Sequence, residues 1–463
     1  MTLFSRLHAR LGDLWWYAIL LFAAQRVGDV INLFVGLWLV PKYVSQQELG
    51  AVLPLSQFAS IIGLPMGLVA IPFMKFLSVY SEEGRLGKAK AMIRDVFAGT
   101  AVMSLLTFVV AYFLLPLVFE RMRVATGALG VLIVLYGIAS AASVIFGNAV
   151  QGLKLFSAVV WFNALAAPSR FLTMLVSMPF RPISGYFLGQ TAAPGVSILG
   201  GVFALRKVLG RAVVAEPYWK EDGRAILRYT FPVAVLTIVG LLTLSVDQLV
   251  IRHRLSDFES AGYYIISRFA EISLYLGGVL SALMFPLVAG RQEGDDESFR
   301  TLKHTLGGAL AGGLVVTALL GLLGDSILDL QDHWSQYRPF ASEMVVLALV
   351  NSTQVVLTCF ATFETARGHF RFFWYSLSIP IAKTVVLYLL TGYTFFEGRL
   401  PVSWMDAIGH FNPNRLSFIL NCFLAANLLQ IVCFIFDVFC CRRIGDMKSA
   451  EVCYNKPIVS RRG

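Results

Sequence analysis

Residues 96–119 are VFAGTAVMSLLTFVVAYFLLPLVF, a run of 24 residues without a single charged side chain. An α-helix needs about 20 consecutive apolar residues to cross a bilayer core about 30 Å thick. Similar apolar stretches recur along the whole chain. Because backbone polar groups find no water inside a membrane, each stretch is predicted to be a helix, and none shows the alternation of a membrane barrel.

Twelve such spans recur along the whole chain. Their predicted limits are 15–41, 50–74, 96–119, 126–150, 155–179, 183–205, 231–252, 261–288, 304–324, 341–365, 371–395 and 415–440. Of the 463 residues, 57% are hydrophobic and 14% are charged, whereas soluble domains are about 25% charged. The sequence therefore predicts an all-α polytopic membrane protein with no separate soluble domain, and not an enzyme.

The basic residues lie in short segments between apolar runs. The formal net charge of +10 is not arranged as a basic stripe with interleaved aromatics, so nucleic acid is not a predicted partner. Twenty-five of the 38 Lys and Arg residues lie on one side of the predicted spans and nine on the other. Because cytoplasmic loops are enriched in Lys and Arg, this asymmetry predicts cytoplasmic N- and C-termini.

Metal chemistry has no support in the pattern. The six cysteines include no CxxC pair, and the loop histidines His333 and His410 have no ligand spacing. Nothing resembles a phosphate-cradling glycine loop or a hydrolase motif. The sequence therefore predicts no metal site and no bound cofactor.

The second half of the chain repeats features of the first. At an offset of 212, Ser45–Gly50 aligns with Asp257–Gly262 and Ile71–Met74 aligns with Leu283–Pro286. Six helices per half would give parallel repeats around a central cavity, which is a transporter plan. The predicted divisions are 1–207 for the N-terminal lobe, 208–229 for a cytoplasmic linker, 230–445 for the C-terminal lobe and 446–463 for a cytoplasmic basic tail. Chance similarity between apolar helices is the alternative interpretation.

Several charged residues lie inside the predicted spans, where a charge at the helix centre costs about 2.5–3.5 kcal/mol. They are Arg26, Asp29, Arg170, Asp247, Arg268, Glu271 and Lys383. Such residues must face a wet cavity or one another. One hypothesis is a substrate site between the lobes. The other is that mutually neutralising pairs only hold helices together.

Two segments resemble a known family. They are residues 36–50, GLWLVPKYVSQQELG, and residues 245–250, SVDQLV, followed by 259–264, ESAGYY. These segments are similar to the multidrug/oligosaccharidyl-lipid/polysaccharide (MOP) flippase superfamily, and within it to the Wzx-like polysaccharide transporters. Lipid II flippases of that superfamily also place arginine and aspartate in helix 1, but this chain lacks their two extra C-terminal helices.

The resemblance implies a MATE-like fold in the cytoplasmic (inner) membrane and alternating access. It implies a substrate such as an undecaprenyl-pyrophosphate-linked oligosaccharide, flipped from the inner to the outer leaflet. Partner enzymes would be a polysaccharide polymerase and glycosyltransferases. For a pyrophosphate head group the predicted ligands are Arg26, Arg268, Arg170 and Lys383, because arginine above all suits bidentate phosphate binding.

The acidic residues then have two predicted roles. Asp29 and Glu271, each three residues after an arginine, would neutralise and orient that arginine in the empty cavity. Asp247 is the candidate for coupling to H⁺ or Na⁺. Two alternatives stay open: a cation-coupled multidrug or small-molecule exporter of the same fold, and a membrane polymerase or ligase acting on lipid-linked sugars. The outer loops of only about 16–19 residues disfavour the enzyme.

Overall fold

A computed structural model describes residues 20, 23–122, 124, 127–210, 214–289, 296–367, 372–391 and 416–445. Within these ranges the chain forms twelve long helices. They are α1 (Ala23–Tyr43), α2 (Gln46–Glu82, bent at 68–69), α3 (Leu86–Met122), α4 (Ala128–Gly152), α5 (Phe156–Ser177), α6 (Pro182–Leu209), α7 (Trp219–Arg254), α8 (Asp257–Ala289), α9 (Asp296–Leu328), α10 (Ala341–Arg367), α11 (Phe373–Thr391) and α12 (Leu416–Gly445). Two short turns, Asp332–Ser335 and Arg338–Phe340, connect α9 to α10.

The described residues of each predicted span fall on one of these helices, which confirms the all-α fold. Ten of the helices are long and apolar enough to cross a membrane. The two remaining helices are not among these ten. Helix α8 carries buried charges, and the described apolar part of α11, Phe373–Leu387, is shorter than a span. Several helices extend beyond their predicted span, as α3 does by ten residues at its start, because polar residues continue a helix outside the hydrocarbon core.

The helix pairing of the first half recurs in the second. Helix α2 packs on α4, α3 on α4, α4 on α6 and α5 on α6. Six helices further on, α8 packs on α10, α9 on α10, α10 on α12 and α11 on α12. This recurrence confirms the architecture of two parallel six-helix lobes.

The starts of α2 and α8 show the repeat at the level of single residues. In α2, the Glu48 amide donates to Ser45 Oγ at 3.4 Å and the Ser45 amide donates to Glu48 Oε2 at 3.3 Å. In α8, the same reciprocal bonds join Ser256 and Glu259 at 3.2 and 3.0 Å. Ser256 follows Ser45 by 211 residues, so the helix starts are one residue out of step with the predicted offset of 212.

The outer surface of the bundle suits lipid. Large apolar side chains are exposed on it, among them Phe113 (75%), Phe203 (71%), Leu322 (81%) and Phe436 (70%). In a water-soluble protein this much exposed apolar area would promote aggregation. The surface therefore agrees with a multi-pass membrane protein.

The lobes meet where α2 and α8 begin. A Cβ atom on Gly50 of α2 would lie 2.7 Å from Ser260 Cβ of α8, so the helices touch through their backbones. Arg252 of α7 is 1% exposed and crosses the same boundary. Its Nε and Nη2 donate to the Met122 carbonyl at the end of α3, at 3.2 and 3.0 Å, and its Nη1 donates to Asp257 at 2.7 Å.

The start of α7 is tied to the first lobe. Helix α7 begins at Trp219, inside the segment 208–229 that the sequence analysis assigns to a linker. Lys88 of α3 is buried and pairs with Glu221 at 2.6 Å and with Asp222 at 3.1 Å. Tyr80 of α2 also donates to Asp222, at 2.8 Å. The predicted tail, 446–463, lies outside the described residues.

Candidate functional site

A polar cavity lies where α1, α5 and α6 of the first lobe face α8 of the second. Its volume is about 80 Å³, and it is partly open to solvent. Its lining residues are Asn32, Val35 and Gly36 of α1, Arg170 of α5, Tyr186 and Gln190 of α6, and Tyr264, Arg268 and Tyr275 of α8. All of these except Val35 and Gly36 carry polar side chains. Among apolar helices, such a lining marks a place that water or a polar ligand occupies.

The contribution of α1 begins with an ion pair. Arg26 Nη2 lies 2.9 Å from Asp29 Oδ2, and the two residues share a helix face because they are three apart. Arg26 Nη1 also donates to the backbone carbonyl of Tyr275 in α8. Arg26 therefore connects the two lobes next to the cavity.

The contribution of α8 is a second ion pair of the same spacing. Arg268 Nη2 lies 2.9 Å from Glu271 Oε1. The Tyr275 hydroxyl donates to the other oxygen of Glu271 at 3.2 Å. The Arg268 guanidinium lies 5.2 Å from the ring centre of Tyr264, within range of a cation–π contact. These contacts hold the Arg268 side chain against the cavity wall.

The third arginine has neutral amide partners. Arg170 Nη1 donates to Gln190 Oε1 at 3.1 Å, and its Nη2 donates to Asn32 Oδ1. Gln190 is oriented in turn, because its Nε2 donates to the Tyr186 hydroxyl at 2.7 Å. Amide oxygens accept hydrogen bonds but do not neutralise a guanidinium.

Among the described residues, the charge in and beside the cavity is therefore positive. Arg170 and Arg268 line the cavity and Arg26 lies beside it, against two carboxylates, those of Asp29 and Glu271. The Nε atoms of Arg170 and Arg268 are buried and have no hydrogen-bond partner among the described residues. A cluster with excess cation and unused donors can hold an anion, since burying an uncompensated charge is otherwise costly.

One predicted site residue that the structure describes, Lys383, is not among the residues that line the cavity. Lys383 Nζ lies 4.5 Å from the ring centre of Phe423, between α11 and α12, and does not line the cavity. Helix α11, which carries Lys383, packs on α7 and α12, and the assisting role of Lys383 stays a prediction. Asp247 lies in α7, but its side chain is outside what the structure describes.

The sequence analysis missed the neutral polar residues of the site. Helical spacing does contain a signal for most of them. Asn32 follows Asp29 by three residues, Tyr264 precedes Arg268 by four, and Tyr275 follows Glu271 by four, so each extends a face that an ion pair already marks. Tyr186 and Gln190 are four apart on α6, but no charged residue lies within one helical turn of either, so the sequence does not mark them.

The fold is that of transporters with solved structures. The chain is similar to an inward-facing multidrug resistance MATE family transporter of the MOP superfamily, at 14% identity over 93% of this chain and 100% of that one, with a TM-score of 0.62. It is similar to the lipid II flippase MurJ in an inward closed conformation, at 14% identity over 91% and 87%, with a TM-score of 0.63.

A third similar structure is the MATE multidrug transporter DinF-BH in complex with R6G, at 16% identity over 93% of this chain and 96% of that one, with a TM-score of 0.60. No protein-family model and no curated protein sequence matches the chain. The fold expected from the MOP resemblance is thus confirmed by structures of low sequence identity.

Proposed function

We propose that this protein is a membrane transporter that flips an anionic lipid-linked oligosaccharide, carried on undecaprenyl pyrophosphate, from the inner to the outer leaflet. The observation that supports this proposal is the cavity between the lobes, which Arg170 and Arg268 line, with Arg26 beside it and paired to Asp29. A pyrophosphate must shed part of its hydration to cross the membrane. Arginine forks replace that hydration with paired, permanently charged donors.

Each lobe contributes to the proposed head-group site. Arg26 and Arg170 come from the first lobe and Arg268 from the second, so one anion can bind both lobes at once. In the empty cavity, Asp29 and Glu271 keep two of the arginines neutralised and oriented. The incoming phosphates take over part of that role. Proton or sodium coupling through Asp247 is a separate part of the proposal, and Lys383 is left out of it.

A multidrug exporter is the second candidate, because two of the similar structures are named multidrug transporters. The charge of the cavity argues against an organic cation as the substrate. Three arginines around a cavity of this size repel a cation, and the repulsion is strongest where water is excluded.

The experiment that separates the candidates uses purified protein in proteoliposomes. We expect the protein to accelerate the transbilayer movement of an undecaprenyl-pyrophosphate-linked oligosaccharide, and to leave a cationic dye such as R6G on its original side. Protein-free vesicles and vesicles that contain an unrelated membrane protein provide the background. Dye transport with no movement of the lipid would replace the flippase by the exporter.

In the proposed orientation, the protein lies in the inner membrane and both of its termini are in the cytoplasm. Polysaccharide polymerase and glycosyltransferases would then be the enzymes that use and supply the substrate. Reporters fused after Lys90 and Lys220 are expected to report the cytoplasm, and a reporter after Gln331 the outside. This expectation follows from the Lys and Arg asymmetry. A well-behaved reporter on the wrong side would contradict the orientation.

A further inference from the structure

Helix α1 contains one turn that is wider than an α-helix. Over Val35–Leu39 it is a π-helix, in which the Val40 amide donates to the Val35 carbonyl, five residues back. Pro41 gives the physical cause. A proline inside a helix has no N–H for the carbonyl four residues earlier, and its ring clashes with that carbonyl. Here that carbonyl belongs to Leu37.

The Leu37 carbonyl takes its hydrogen bond from the other lobe. The indole Nε1 of Trp334, in the short turn between α9 and α10, donates to it at 2.7 Å. The Trp334 ring packs edge-on against Phe269 of α8, with the ring centres 5.3 Å apart. Trp334 therefore supplies the donor that Pro41 removes, and it is itself held by the helix that carries Arg268.

The π turn sets which side chains of α1 face the cavity. It takes up one extra residue, so everything before it is rotated by about 100° relative to a regular helix continuing from Val40. In a regular helix without the extra residue, each position before the turn would be occupied by the next residue in the sequence. Val27, Val30 and Leu33 would then stand where Arg26, Asp29 and Asn32 now stand.

The change would reverse the chemistry of this wall. Val27 and Val30 are apolar and are 58% and 67% exposed. In the regular helix they would take the places of Arg26 and Asp29 beside the cavity. Arg26 would move to the place of Gln25, which is exposed. A one-residue difference in register thus separates a cationic wall from an apolar one.

We propose that Pro41 and Trp334 are positioning residues, which together hold the register that places Asn32 in the cavity lining and the Arg26–Asp29 pair beside it. The inference rests on the proposed function only for what the cavity binds. The geometry of α1 does not depend on that function. Gly36 lies inside the same turn, and a Cβ there would come within 2.6 Å of Arg268 Cδ. The turn therefore also sets how closely α1 approaches α8.

The test measures register directly. Asn32→Cys and Leu33→Cys are made separately, and each is labelled with a charged, water-soluble thiol reagent. Mass spectrometry of the α1 peptide, which contains no native cysteine, measures each labelling rate. In the otherwise unchanged protein, the cysteine at position 32 should react faster. Pro41→Ala restores the missing amide, and we expect the ratio of the two rates to invert.

Trp334→Phe keeps an aromatic ring against Phe269 but loses the N–H. It should lower the same ratio by about fivefold, the equilibrium change that corresponds to one neutral hydrogen bond. This variant keeps the proposal testable if Pro41→Ala fails to fold. Matched controls are Pro116→Ala, at an exposed proline inside α3, and Trp161→Phe, at a 65% exposed tryptophan on α5. Neither should change the ratio.

The proposal is wrong if every folded variant among Pro41→Ala and Trp334→Phe keeps the parent ratio. Labelling requires no transport, so it is independent of the proposed function. If the register shifts while lipid flipping stays normal, the head-group role of α1 fails and the positioning role stands. If the register is unchanged while Arg268→Ala stops flipping, the proposed function stands and the positioning role fails.

Discussion

Arg268→Ala is expected to abolish flipping while the amount of folded protein in the membrane stays normal. The variant removes the arginine that the second lobe contributes to the cavity and leaves Glu271 without its ion pair. Truncating one partner of a buried, hydrogen-bonded charge pair costs about 2–5 kcal/mol, and each 1.4 kcal/mol is a factor of ten. Flipping in proteoliposomes should therefore fall by at least about 30-fold.

Two further variants separate ligand binding from structural pairing. Arg268→Ala combined with Glu271→Gln removes the unpaired carboxylate. If the ion pair only holds the helix in place, this double variant should regain transport; if Arg268 binds the head group, it should remain inactive. Arg26→Lys keeps the charge but loses the planar fork, so it should impair flipping as well.

Arg338→Ala is the matched control for these arginine variants. Arg338 is 57% exposed and pairs with Asp325 and Asp329 outside the cavity. Its loss should leave flipping unchanged. If Arg268→Ala and Arg26→Lys both flip the substrate at the parent rate, the arginines are structural and the head-group site is wrong.

A disulfide between the lobes is expected to stop transport reversibly. Gly50→Cys with Ser260→Cys places two thiols where an ideal Cβ on Gly50 lies 2.7 Å from Ser260 Cβ. A disulfide needs about 3.8 Å between these atoms, so the helices must separate by about 1 Å. Oxidation should then hold the lobes together at the start of α2 and α8. Flipping should fall to background and return after reduction.

The control disulfide lies within one lobe. A Cβ on Gly313 of α9 would lie 2.6 Å from Ser352 Cβ of α10, so Gly313→Cys with Ser352→Cys has nearly the same geometry. Peptide mass spectrometry measures how much of each disulfide forms. The control should cross-link without loss of flipping. If the Gly50–Ser260 pair cross-links fully and transport continues, the lobes need not separate at this level.

Much of the fold was predictable because hydrophobicity alone decides it. Stretches such as 96–119 have no alternative to a buried or lipid-facing helix. The register of the repeat was harder. The helix-capping residues Ser45 and Glu48 correspond to Ser256 and Glu259, an offset of 211. The glycines Gly50 and Gly262, which guided the alignment, give an offset of 212.

The site was predictable in its charges and not in its neighbours. Arg26, Asp29, Arg268 and Glu271 stand out because charge in a membrane is costly. Arg170 and Lys383 stand out for the same reason, yet only Arg170 reaches the cavity. Which helix faces which depends on long-range packing, and that is not visible in the pattern along one helix. The π turn before Pro41 was also missed, because a proline in a helix does not specify how the strain is relieved.

The central claim is that the cavity between the lobes binds the pyrophosphate head group of a lipid. Binding of undecaprenyl pyrophosphate to the purified protein in nanodiscs tests it most directly, with undecaprenol and R6G as competitors. The account predicts that the pyrophosphate lipid binds, that undecaprenol and R6G do not displace it, and that Arg268→Ala abolishes the binding. Displacement by R6G, or undiminished binding by Arg268→Ala, would contradict the claim.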